Sequence, residues 1–124
     1  MKKLIISMKS SNEALVDFKQ TLQLARKGKL KKDHYEISFD NKKDFDKFVK
    51  NIGVLSTILI YKPKSIYELS KIVHKDVSNL NKIILFFEDI GAIKLTETRI
   101  HGRMVKTPTV EYEQIQFDLK AALL

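Results

Sequence analysis

Four side chains able to exchange hydrogen bonds with base edges or phosphates fall within five positions: Ser78, Asn79, Asn81 and Lys82, with Lys75 just before them. A side-chain amide can meet adenine bidentately, and a lysine can reach guanine or a phosphate. A second group surrounds His101-Gly102: of only three arginines in the chain, Arg99 and Arg103 flank this pair, and Lys106 follows. Arginine can enter a narrow minor groove or fork onto a phosphate, which lysine's point charge cannot do.

Each group has a competing structural reading. Asp, Ser and Asn are favoured at helix starts because they cap orphan backbone N–H groups. That accounts for Asp76 but not for Asn81 and Lys82, which lie beyond those first groups. The arginines also suit an exposed ribbon with no ligand. The run "RKGKLKK" at 26–32, five basic residues in seven, reads either as a solvated loop or as a phosphate-contacting arm.

Other chemistries lack their residues. There is no cysteine, and His34, His74 and His101 are too dispersed for a zinc site. Asp44 and Asp46 face different ways on a helix, and Glu88 and Asp89 are adjacent at a helix end, so neither pair makes an acid/base couple. No Gly-rich phosphate loop, nucleophile elbow or H-E-x-x-H helix occurs. The expectation is a non-enzyme without metal or cofactor.

The net charge of +8 and pI near 9.6 fit a polyanionic partner, because neutralising phosphates releases condensed counterions. The bland alternative is an AT-rich genome, since 20 of the 23 basic residues are lysine. With 44% hydrophobic and 31% charged residues, the 124-residue chain can bury one core. No window reaches the roughly 18 apolar residues of a membrane span. The opening "MKKLIISMKSSNE" has too short an apolar run for a signal peptide, so a cytoplasmic protein is expected.

These side chains need elements to position them. "KKLIIS" reads as a short strand, and a helix follows over about 11–27, with Ala14, Leu15, Phe18, Leu22 and Ala25 at helical spacing. "HYEISF" alternates as a strand with Tyr35, Ile37 and Phe39 on its buried side. Three helices are then expected at about 42–61, broken near Asn51-Ile52-Gly53, at 65–74 and at 76–90. Ser65 and Glu68 form a capping box, Asp76 is an N-cap and Gly91 a left-handed terminator. Val77, Leu80, Ile84 and Phe87 share one face of the last helix, which turns Ser78, Asn79, Asn81 and Lys82 outward. Ile83, Leu85 and Phe86 leave that helix apolar almost all round beyond Lys82. Two strands around His101-Gly102 and a last strand in "EQIQFDL" complete the chain. "KKLIIS" and "EQIQFDL" both read as edge-type strands, and the favoured arrangement is a small sheet joining the two ends.

Residues 65–95, "SIYELSKIVHKDVSNLNKIILFFEDIGAIKL", resemble the MarR-like winged-helix transcriptional regulators, a group that includes antitoxin-like proteins. Ser65, Glu68, Leu69, Asp76, Asn79 and Gly91 match that pattern as they stand, and weaker similarity extends over nearly the whole chain. Ala92-Ile93 departs harmlessly, whereas "HGRMVKTPT" carries fewer basic residues than the wings of that group. The resemblance implies an α+β fold: a winged helix-turn-helix over 41–124 with a small antiparallel sheet, and an N-terminal strand-helix-strand extension over 1–40. It also implies a homodimer that binds double-stranded DNA sequence-specifically and regulates its own operon, with the 76–90 helix in the major groove and a wing at about 93–112. A different class of function stays open: a protein-interaction module, such as an antitoxin facing a cognate toxin, on the same scaffold.

Overall fold

A computed structural model of the chain describes residues 2–8 and 34–119, so the expected 11–27 helix and the basic run at 26–32 lie outside the described residues. Among the described residues the architecture is α+β, with four helices and two small sheets. The elements run β1 (Lys3–Met8), β2 (His34–Phe39), α1 (Lys42–Lys50), α2 (Ile52–Tyr61), α3 (Ile66–Val73), α4 (Val77–Asp89), β3 (Lys94–Ile100), β4 (Arg103–Thr109) and β5 (Gln114–Asp118). No helix among the described residues is long and apolar enough to cross a membrane. The chain separates into two compact units, one holding the described residues up to Asp46 together with 112–119, the other Lys47–Glu111.

The first unit is built on a sheet of order β2-β1-β5 in which both pairings are parallel. It joins the two ends of the chain, as expected, but β1 is its central strand and not an edge. The register explains why. Leu4, Ile6 and Met8 align with Tyr35, Ile37 and Phe39 on one side and, for the first two, with Ile115 and Phe117 on the other. One face of the sheet is therefore apolar, and Leu4 and Ile6 at its middle are fully buried. Phe45 closes on this face, meeting Phe39 and Phe117 edge to face at 6.1 and 6.0 Å. Ser7 is buried on the opposite, polar face, where its hydroxyl donates to Glu36 at 3.2 Å and lies 3.0 Å from the Ser38 hydroxyl. Tyr35 departs from the expected burial: it is exposed on an edge strand, with the Lys2 ammonium 5.8 Å from its ring.

The second unit packs helices against the β3–β4 hairpin. α1 and α2 are separated at Asn51 alone, whose amide donates to the Lys47 carbonyl at 2.8 Å. Gly53 lies within α2, not at the break as the sequence reading had it. α2 ends where Lys62 turns left-handed ahead of Pro63. Val54, Leu55, Ile58, Leu69, Leu80, Ile84, Phe87, Ala92 and Ile93 form the core, each at most 4% exposed. Burying a large aliphatic or aromatic side chain of this kind contributes about 1.5–3 kcal/mol. Val77, expected on a buried face, is 41% exposed, and Val49 is 43% exposed. Val49 is the next-to-last residue of α1 and Val77 the first of α4.

Candidate nucleic-acid interface

The junction of α3 and α4 is fixed by backbone chemistry that the sequence encodes. The Ser65 hydroxyl accepts from the Glu68 N–H at 3.0 Å and starts α3. His74 ends it in the left-handed conformation at φ 56°, with its N–H donating to Ser70. Two residues later the Asp76 carboxylate accepts from the Ser78 N–H at 3.2 Å and starts α4. At the far end the Gly91 N–H donates to Glu88 and the Ala92 N–H to Phe87, with Gly91 at φ 86°. This doubly bonded terminator satisfies carbonyls that a helix end leaves open.

Leu80, Ile84 and Phe87 are fully buried, so they set the rotation of α4. Ser78, Asn79, Asn81 and Lys82 are all exposed, as is Lys75 in the turn before them. At about 100° per residue, Ser78 and Lys82 lie opposite the core at the centre of the outward stripe. Asn79 and Asn81 flank that stripe on opposite sides. The same stripe continues through Leu85, 46% exposed, to the acidic Asp89. The neutral and basic polar side chains of the stripe are thus confined to the first turn and a half, and its far end is acidic. Phe86 is partly covered, with the Lys47 ammonium 4.5 Å from its ring centroid and Phe87 beside it.

The hairpin turns on His101 and Gly102, both at positive φ, the two-residue geometry that matches the twist of paired strands. His101 is therefore a turn residue. Thr107 anchors the base of the ribbon, its hydroxyl donating to the Lys64 carbonyl at 2.6 Å. Register divides the three cations. Arg99 is paired with Met104 and Glu97 with Lys106, so Arg99, Lys106, Glu97 and Met104 share one face. Arg103 is paired with Ile100 on the other face, where an open cleft is lined by Lys64, Ser65, Glu68, Ile100, His101, Arg103 and Val105. Arg99, Arg103 and Lys106 are all exposed, but they are not one cluster.

Two features escaped the sequence reading. Lys64 joins Arg103 at the cleft, and its signal was a cation immediately before an N-cap. Glu97 places a carboxylate across from Lys106 and beside Arg99, which cross-strand registration would have revealed. Among the described residues no group of three or more His, Cys, Asp or Glu is placed to hold a metal ion.

Residues 49–117, more than half of the chain, match the family described as HVO_A0114. The chain belongs to the HVO_A0114 family. No curated protein and no solved structure matches it. The HVO_A0114 match runs from the end of α1 into β5 and contains all eight candidate residues, from Lys75 to Lys106.

Proposed function

We propose that this chain is a sequence-specific double-stranded DNA-binding regulator of transcription, a winged helix-turn-helix in which α3 and α4 form the helix pair and β3–β4 the wing. The observation that carries the reading is the division of α4: its buried stripe is wholly apolar, while Ser78, Asn79, Asn81 and Lys82 at its N-terminal end face solvent. The start of a recognition helix presents such groups to base edges in the major groove. Ser78, Asn79 and Asn81 meet base edges, and Lys82 reaches a phosphate. Arg99 and Lys106 lie on flanking backbone or minor groove, and Arg103 with Lys64 holds a neighbouring phosphate. The protein acts in the cytoplasm as a homodimer on an inverted repeat and represses or activates its own operon, consistent with its resemblance to MarR-like regulators.

Gel shifts and anisotropy titrations on the chain's own upstream region test this. A salt-sensitive complex weakened by Asn79→Ala and Lys82→Ala is the expected result. No such complex, or one indifferent to both substitutions, overturns it.

Leu85 favours a second reading, because an exposed leucine on the same outward stripe as Lys82 suits a polypeptide better than a phosphate. There the protein is an antitoxin or assembly subunit whose α4 docks a protein. Co-purification with a neighbouring gene product in the absence of DNA affinity distinguishes it, and an antitoxin that represses its own promoter satisfies both readings.

A further inference from the structure

Met104 is an apolar side chain in charged surroundings. It follows the His101-Gly102 turn by two residues and is 54% exposed, whereas Ile100 and Val105 beside it are partly covered. Registration sets it directly across from Arg99, with Lys106 two positions further along the same face. One cation thus stems from a Cβ about 5 Å away across the strands, and the other from a position about 7 Å along β4. The tip itself, "RIHGRMVK" at 99–106, holds two arginines and a lysine and no acidic residue. The carboxylate on this face, Glu97, lies farther from the turn than Arg99.

Those neighbours select what covers Met104. A polypeptide surface apolar enough to bury a thioether would strip water from Arg99 and Lys106 without pairing them, which is costly. A duplex meets both needs, with phosphates for the cations and aromatic base surface between them. A methionine side chain suits that surface, being unbranched and polarisable, with a favourable contact between its sulfur and aromatic rings. The ribbon also holds this side chain out on a firm base. The Thr98 and Thr107 hydroxyls lie 2.9 Å apart across the strands, and Thr107 is tied to the Lys64 carbonyl at 2.6 Å.

We propose that Met104 is a wedge that enters the minor groove, partly unstacks one base step and kinks the duplex toward the major groove. The inference rests on the DNA-binding reading and adds to it a distortion that phosphate contacts alone do not require. Arg99 and Lys106 take phosphates on either side of the groove, and the thioether fills the opened step. Sequence preference follows without a hydrogen bond to a base edge. Unstacking costs least at the flexible pyrimidine–purine steps, TA and CA/TG, so the hairpin favours such a step in the flank of the bound site.

Permanganate footprinting of the full chain on its own upstream region tests the wedge, because permanganate oxidises unstacked thymines and each of the flexible steps contains one. Alongside it, energy transfer between dyes on the two ends of the bound fragment reads the bend. The wild-type chain should expose a reactive thymine at the flank of its footprint and bend the fragment by roughly 20° or more. Met104→Ala should protect the same positions with affinity lowered by no more than about 10-fold, yet lose the reactive thymine and most of the bend. Met104→Leu, which keeps an apolar wedge, should restore both. A wild-type footprint with neither reactive thymine nor bend, or one in which Met104→Ala keeps both, overturns the wedge and leaves the regulator standing. The absence of any footprint overturns the two together.

Discussion

Phe48 and Phe87 meet edge to face, with ring centroids 5.8 Å apart and planes at 83°. Both rings are fully buried, so the end of α1 is tied directly to the inner stripe of α4. Phe87→Ala should cost about 3–5 kcal/mol in urea unfolding through lost burial and the cavity left behind. Phe87→Leu should cost less. A loss near zero for the alanine variant would mean that α4 is not held at the rotation described.

Under the proposed function, that rotation decides which α4 substitutions should act on DNA. Lys82 is central on the outward stripe, and Lys82→Ala should weaken every duplex alike and lower the slope of log affinity against log salt by about 1. Asn79→Ala should instead cost about 1–3 kcal/mol on the cognate site and relax preference at one base position. Selection of bound oligonucleotides with each variant, followed by salt titration, separates the two effects.

Glu97 lies among the hairpin's own cations. It is the cross-strand partner of Lys106 and shares a face with Arg99. Glu97→Gln removes a carboxylate that repels phosphate and should tighten DNA binding roughly 3- to 10-fold at low ionic strength, fading as salt screens the charge. Tightening that persists unchanged in high salt would contradict an electrostatic origin.

Alkaline stability should depend on Tyr112, which is 5% exposed. Burial pushes its phenol well above the ordinary tyrosine range, because the charged form is penalised inside the fold. Above about pH 10 the unfolded chain therefore releases this proton while the folded chain keeps it. Stability is unaffected by this group below that pH and falls as the pH rises beyond it. Tyr112→Phe should flatten the alkaline limb of a stability profile measured by urea unfolding. An unchanged limb would show that Tyr112 ionises as freely folded as unfolded.

Local signals made much of this molecule legible. Ser65, Asp76 and Gly91 punctuate α3 and α4 where their side-chain and backbone preferences dictate, and His101-Gly102 marks the hairpin because both residues tolerate positive φ. Spacing of three and four in Leu80, Ile84 and Phe87 was enough to turn Ser78 and Lys82 outward. Information carried by partners was harder to read. "KLIISM" looks like an edge strand in isolation, and its central place follows only from two parallel neighbours distant in sequence. Arg99 and Arg103 look like one basic tip until registration puts them on opposite faces of the ribbon. Val77 fits an apolar period yet is the first residue of its helix, where periodicity says nothing about whether a neighbour is present.

The parallel pairing of β1 with β5 also orders events during synthesis. Lys3 pairs with Gln114, so the middle strand made first waits for a partner made more than a hundred residues later. Lys47–Glu111 is contiguous and can condense as soon as it clears the ribosome. A nascent chain arrested before β5 emerges would therefore present the Lys47–Glu111 unit already assembled while the sheet is unfinished. One side of its middle strand would still offer unpaired backbone groups.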